Sequence, residues 1–440
     1  MTSTTFVIGI SLLIVTSILI LTNVIFFHQT QIVDVEPTND VPEILLDDHG
    51  TKNIQHAVNS FEPNINSDSS VNGYTSTAIM PTMPYTKFIP WKEQTNKPFP
   101  CIIDLDRDPG WQPLNGYITN QPSDDGLLFI KIEKAASTTI ANIATRIAHA
   151  LAHRVDANVT RPNDGLKVQK ICKSRINHRW SKNTEQLSKR DKDKSFLWTF
   201  LKDPTKRMLS FYFFFIIDHY KKEYTEDNLI DWLKSEKKIN PGGQLYEIAD
   251  KYPEINVLNL TDEEIKSYIQ KVIDNMNFIG LVERMNESLV LLQLMLDLQP
   301  SDVAIVKSSK MAGQYELFLG NKKAGCQRMG YKREILPGAQ TFLESDEWKQ
   351  LSKIEYMLYN AVNRSIDHTI ETVIGRARFN KALKEFEEVQ HKVTEHCSDK
   401  VVLQCTANGT KTKLEERSKC YTDYLVGCGY DCLDEIYPLE

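Results

Sequence analysis

The stretch Leu127 to Arg146, LLFIKIEKAASTTIANIATR, leaves the chain few choices. Apolar and β-branched residues from Leu127 to Ile132 read as a short buried strand. Ser137, Thr138 and Thr139 then offer N-cap side chains to a helix whose Ile140, Ala144, Ile147 and Leu151 fall on one face. Lys134 stands between strand and helix. A cation, several hydroxyls and the N–H groups of a helix start are thereby aimed at one small volume, which is what a phosphate or sulfate needs. The nucleotide cradle GxxxxGK[ST] is not written here. The lysine precedes the hydroxyl residues, and Ala135 and Ala136 stand where that motif puts glycine. Strand, turn and hydroxyl-capped helix also occur together in α/β proteins for capping alone, so a second element has to decide.

That element is Phe196 to Tyr220, FLWTFLKDPTKRMLSFYFFFIIDHY. Phe196 to Leu201 reads as a buried strand, Asp203 as an N-cap and Pro204 as the first helical residue. Leu209, Tyr212, Phe213 and Ile216 form the core-facing side. Lys202 is left at the strand tip, and Ser210 shares a helix face with Lys206 and Arg207. Lys202 and Ser210 can converge on an anion lying against the first two turns, while Lys206 and Arg207 taken alone read as solvated.

Together the two elements resemble the Golgi carbohydrate sulfotransferases. There a loop of the form K-x-x-[ST]-[ST]-[ST] grips the 5′ end of the sulfate donor PAPS, and R-D-P-x-x-R-x-x-S holds its 3′-phosphate. Here KAASTT covers Lys134, Ala135, Ala136, Ser137, Thr138 and Thr139, and KDPTKRMLS matches at Asp203, Pro204, Arg207 and Ser210, with Lys202 replacing the arginine. Lysine keeps the charge but loses the bidentate fork. Phe278 to Leu298, FIGLVERMNESLVLLQLMLDL, resembles a segment of the galactose 3-O-sulfotransferases, as does YMLYNAVNRS from Tyr356 to Ser365 with the long amphipathic helix ending near Cys397. Ile279 to Val282 and Val303 to Val306 read as further strands, and Ser288 to Leu298 as a helix. The fold this implies is α/β, a central parallel sheet flanked by helices, related in layout to P-loop nucleotide kinases.

Composition fits a lumenal body on a membrane tether. With 52 basic and 58 acidic residues, net −6, no bulk basic surface argues for nucleic acid. Residues 5–27 are uncharged, roughly 35 Å as a helix at ~1.5 Å per residue, and read as a transmembrane signal anchor behind a cytoplasmic tail 1–4. A cleaved signal peptide is the alternative, weakened by the missing basic start and cleavage site. Residues 28–99 are polar and Pro-interrupted and read as a stem, 100–396 as the catalytic domain and 397–440 as a Cys-rich segment. Five sequons (Asn158, Asn259, Asn286, Asn363, Asn408) and eight cysteines suit an oxidising, glycosylating compartment. The five cysteines from Cys397 to Cys432 lack zinc-finger spacing and read as disulfide partners. Five is odd, so at least one pairs with Cys101, Cys172 or Cys326, pairs between chains, or stays a thiol.

The resemblance implies PAPS-dependent sulfation of a glycan or glycolipid hydroxyl, most like galactose 3-O-sulfation, with PAP as product, no metal, a type II Golgi membrane setting and compatibility with a homo-oligomer. Lys134 would relieve charge on the leaving oxygen. His178, 24 residues before Lys202, is the candidate base, as a histidine precedes the R-D-P motif in related enzymes, with Glu133 in reserve. His149 and His153, i and i+4, read as a helix-surface pair rather than metal ligands. A uronyl 2-O-sulfotransferase, or an inactive glycan-binding protein of the same fold, are the rival readings.

Overall fold

The computed structural model describes residues 84–94, 99–102, 125–157, 171–178, 190–249, 257–306, 315–319, 324–328, 334–401, 405–406, 408–411 and 430–438. The expected tail 1–4, span 5–27 and Asn158 lie outside them. Among the described residues no helix is long and apolar enough to cross a membrane.

Strands β1 (Gly126–Lys131), β2 (Ser174–His178), β3 (Ser195–Leu201) and β4 (Phe278–Leu281) form one parallel sheet in the order β2-β1-β3-β4. Every residue of β1 and β3 is buried. Runs of apolar residues without alternation demand this, since each strand must be covered on both faces by helices. The chain leaves β1 through helix α1 (Ser137–Val155) to β2 on one side, then returns to β3 on the other. That reversal opens a crevice at the carboxyl ends of β1 and β3, where open parallel sheets bind their ligands.

After β3 come helix α2 (Pro204–Phe211), continued by a π-helical stretch Tyr212–His219, then α3 (Glu226–Ile239), α4 (Gln244–Ile248) and α5 (Asp262–Asp274). Helix α6 (Met285–Leu296) follows β4, and the long helices α7 (Asp346–Thr369) and α8 (Arg376–Cys397) close the body. Asp203 caps α2 as its D-P signature predicts, accepting from the Lys206 N–H at 2.9 Å. A file of aromatic rings crosses the core: Phe129 to Trp198 at 4.6 Å, Trp198 to Phe200 at 6.2 Å, Phe200 to Phe278 at 6.1 Å and Phe278 to Phe88 at 5.3 Å. Gly280 pairs with Phe200, and a Cβ there would stand 2.6 Å from that ring.

Three expectations need correction. The stem reading does not extend to 84–94: Phe88 and Trp91 are buried in the core, and the Phe88 N–H donates to Thr369 Oγ1 at 2.9 Å. Two apolar anchors and the hydroxyls of α7 hold this segment, although it lacks any periodicity of its own. Val303 to Val306 is not a strand. Pro300–Val303 is a 3₁₀ turn, and the Ile305 backbone is satisfied by a side chain, its N–H donating to Gln390 Oε1 and its carbonyl accepting from Gln390 Nε2. His149 is buried within α1, not on the helix surface.

Disulfides join Cys101–Cys172, Cys326–Cys405 and Cys397–Cys432. Cys405 is thus a tail cysteine that pairs outside the tail, reaching back to the antiparallel hairpin of β5 (Tyr315–Leu319) and β6 (Ala324–Arg328), while Cys420 and Cys428 lie outside the described residues. With loops of 71 and 79 residues, the first two bridges each remove roughly 4 kcal/mol of unfolded-chain entropy. Among the sequons, Asn259, Asn286 and Asn408 are exposed, whereas Asn363 is half-buried and its Oδ1 accepts from Arg284 Nη1 at 2.8 Å.

Phe88→Ala should cost about 3–5 kcal/mol in urea unfolding. A soluble body trimmed to start at Cys101 should likewise melt well below one that starts at Ala78; equal melting would place 84–94 outside the core.

Candidate active site

The carboxyl edge of the sheet carries a charged or titratable residue at the end of each strand. Register pairs His178, the last residue of β2, with Lys131 of β1, three residues before Lys134. Lys202 follows β3, and Glu283 lies two residues beyond β4. The strand order therefore sets these positions side by side as His178, Lys134, Lys202, Glu283, with neighbouring strands about 4.8 Å apart. Lys134 and Lys202 flank the crevice between β1 and β3, on one side of the body.

The turn at Lys134 differs from the expected hydroxyl cap. Lys134 and Ala136 both take left-handed backbone, at φ 63° and 53°, and Ala136 is the N-cap of α1 with no side-chain hydrogen bond to the helix. Ser137, Thr138 and Thr139 are thus the first three helical residues, and their hydroxyls are not used as the cap. Two non-glycine residues in this region cost about 1–3 kcal/mol each, a strain that clusters at ligand clamps. Ala135 is buried between them. The Lys134 ammonium lies over the Phe214 ring, 3.6 Å from its centroid. Phe214 comes from the π-helical continuation of α2, so the first lysine already touches the element that follows the second.

Lys202 is held by its backbone. Its N–H donates to Gln244 Oε1 at 2.9 Å and its carbonyl accepts from Gln244 Nε2 at 2.8 Å. The next N–H, of Asp203, donates to Glu283 Oε2 at 3.0 Å, and Tyr359 Oη donates to the same oxygen at 3.2 Å. Tyr356 Oη donates to Asp203 Oδ2 at 3.2 Å. Burial pulls the Lys202 ammonium below the ordinary lysine range, opposed by the nearby Glu283 carboxylate and reinforced by Lys206. A partly desolvated cation of this kind gains from an anion beside it. Ser210 is half-buried in the second turn of α2, and Lys206 is exposed.

Arg207 is not solvated. Its side chain is buried, its Nε donates to the Glu133 carbonyl at 2.9 Å, and its Nη2 pairs with the Glu247 carboxylate. Burial raises the Glu133 carboxyl above the usual range, with Arg207, Lys134 and Lys131 opposing. Burial likewise raises Glu247 to about 7, opposed by Arg207 and supported by the carboxylates of Glu133 and Glu355. Among the described residues no group of His, Cys, Asp and Glu is arranged to hold a metal. Glu283 was legible in principle, as the third charge after a strand. Glu355 carried a fainter sign: it stands on the apolar stripe of Leu358, Val362 and Ile366.

Residues 119–297 match the model of the Sulfotransferase family, a segment that includes the whole parallel sheet and both lysine turns. A search of the curated proteins finds no match. The family match indicates an enzyme of sulfuryl transfer, a sulfotransferase.

The Glu247 carboxyl resists ionisation in the folded state, while in the unfolded chain it ionises near 4.5. Its contribution is complete below pH 4.5 and is lost as pH rises through about 7, roughly 3 kcal/mol in all. Glu247→Gln should lack this loss, so its melting temperature relative to the native protein should climb between pH 5 and pH 8. Parallel curves would remove Glu247 from the pH dependence.

Proposed function

We propose that this sulfotransferase transfers the sulfuryl group of PAPS to a carbohydrate hydroxyl, most like the 3-hydroxyl of galactose in a glycan or glycolipid. The observation that carries the reading is the placement of Lys134 and Lys202 at the carboxyl ends of neighbouring parallel strands, flanking the switch-point crevice. A donor with anionic groups at its 5′ and 3′ ends fits two cation-bearing helix starts. Residues present meet that demand: hydroxyls and N–H groups in the first turn of α1, and a desolvated ammonium at Lys202.

On this reading Lys134 with Ser137, Thr138 and Thr139 binds the 5′ end, and Ala135 and Ala136 bring backbone close to it. Lys202 and Ser210 hold the 3′-phosphate. Transfer breaks the bond from sulfur to the phosphate oxygen, whose electron pair stays on that oxygen beside Lys134. The new bond forms to the acceptor oxygen, whose proton passes to the base. His178 is assigned that task because its strand ends next to β1, on the side away from Lys202, which leaves the acceptor the β2 side of the donor. Glu133, with its raised basicity, is the reserve. Three disulfides and the exposed Asn259, Asn286 and Asn408 support a lumenal body, and the apolar run 5–27 a Golgi membrane anchor of type II.

Labelled sulfate transfer by the soluble body should be seen with neutral galactosides or galactolipids; transfer to uronic-acid polymers alone would move the acceptor to that class, and bound PAP without turnover would make the protein a glycan binder. Lys134→Ala should abolish transfer in a folded protein. His178→Ala should lower turnover by about 10²-fold with donor affinity intact, and unchanged turnover would pass the base to Glu133.

A further inference from the structure

Between the two lysine turns lies a cluster of charged side chains that no step of the transfer uses. Arg207, Lys237 and Glu355 each have side chains no more than 5% exposed. Arg207 Nη1 stands 3.9 Å from Glu355 Oε2, and the Lys237 ammonium pairs with the other Glu355 oxygen. The Gln244 N–H donates to Glu355 Oε2 at 3.2 Å. Glu247, from the same short helix as Gln244, takes the remaining fork of Arg207.

Ions this deep are costly unless they are paired, so their geometry is tightly defined once they are. Followed in order, the contacts make one unbroken path. The Glu133 carbonyl, next to Lys134, accepts from Arg207; Arg207 faces Glu355; Glu355 accepts from Gln244; and Gln244 holds the backbone of Lys202 from both sides. The chain has prepared room for it. Gly243 takes φ 45° at the start of α4, and a Cβ there would collide with the Glu355 carboxylate.

We infer that Arg207, Glu355 and Gln244 are positioning residues that set the separation of the Lys134 and Lys202 turns, and with it the enzyme's preference for a nucleotide charged at both the 5′ and 3′ ends. Arg207 is thereby removed from the ligand-binding face of the helix and given to the register between two sites. The inference rests on the donor reading above. A ligand that touches both turns gains from their fixed spacing, while one that touches a single turn does not.

The test compares the binding of adenosine 3′,5′-bisphosphate with that of adenosine 5′-phosphate by calorimetry, in the native protein, Arg207→Lys and Gln244→Met. The ratio of the two dissociation constants does not depend on the folded fraction, so a general loss of stability leaves it unmoved. In both variants the bisphosphate preference should shrink by about tenfold or more, the scale expected when a site is misplaced by about 1 Å. Gln244→Met removes the two side-chain bonds to the Lys202 backbone and a long one to Glu355, leaves every ion pair in place, and decides the matter if Arg207→Lys does not fold. A native preference that both variants retain overturns the inference. A native protein without any such preference overturns the donor reading itself.

Discussion

The buried guanidinium of Arg207 is the interaction on which the site depends. It belongs to the helix after β3, yet its Nε donates to the carbonyl of the turn after β1. Two adjacent parallel strands would define the crevice without it, because strand spacing is set by the ladder. The turns beyond the strands have no such ladder. Their backbone groups must find partners elsewhere, and the partners they find are Arg207 for Glu133 and Gln244 for Lys202.

This arrangement explains why charge is tolerated so deep in the body. Arg207 and Lys237 face Glu247 and Glu355, so the four side chains balance. The balance is not even. Glu247 is held up by burial more than Arg207 pulls it down, which makes the cluster sensitive to pH near neutrality, whereas Lys202 is depressed for the same reason on the cationic side. The functional edge thus combines a strained, left-handed turn at Lys134 with a desolvated cation at Lys202. Both features are destabilising alone, and a neighbouring anion would favour the charged form of Lys202.

Much of the fold was legible in the residues. The apolar runs of β1 and β3, the Asp-Pro start of α2 and the amphipathic stripe of α8 all appear where their patterns place them. Expectation failed where a distant partner outweighed local pattern. Hydroxyls at Ser137 to Thr139 look like caps, but a left-handed Ala136 takes that position and leaves them in the first turn. Val303 to Val306 has strand composition, but Gln390 satisfies Ile305 and no neighbouring strand is needed. Residues 84–94 look like tether, but Phe88 and Trp91 insert into the core.

By itself the sequence determined which residues stand at the strand tips, because alternation, apolar runs and helix caps are local properties of a few neighbours. Lys134 and Lys202 could be named on that basis. What only the tertiary structure decided is how far apart they stand and which charges surround them. The contacts responsible join residues 40, 74 and 111 positions apart, between Arg207 and Glu247, Arg207 and Glu133, and Gln244 and Glu355. No local pattern encodes such pairings, since they arise when packed helices bring remote polar groups into a space without water, where each must be matched.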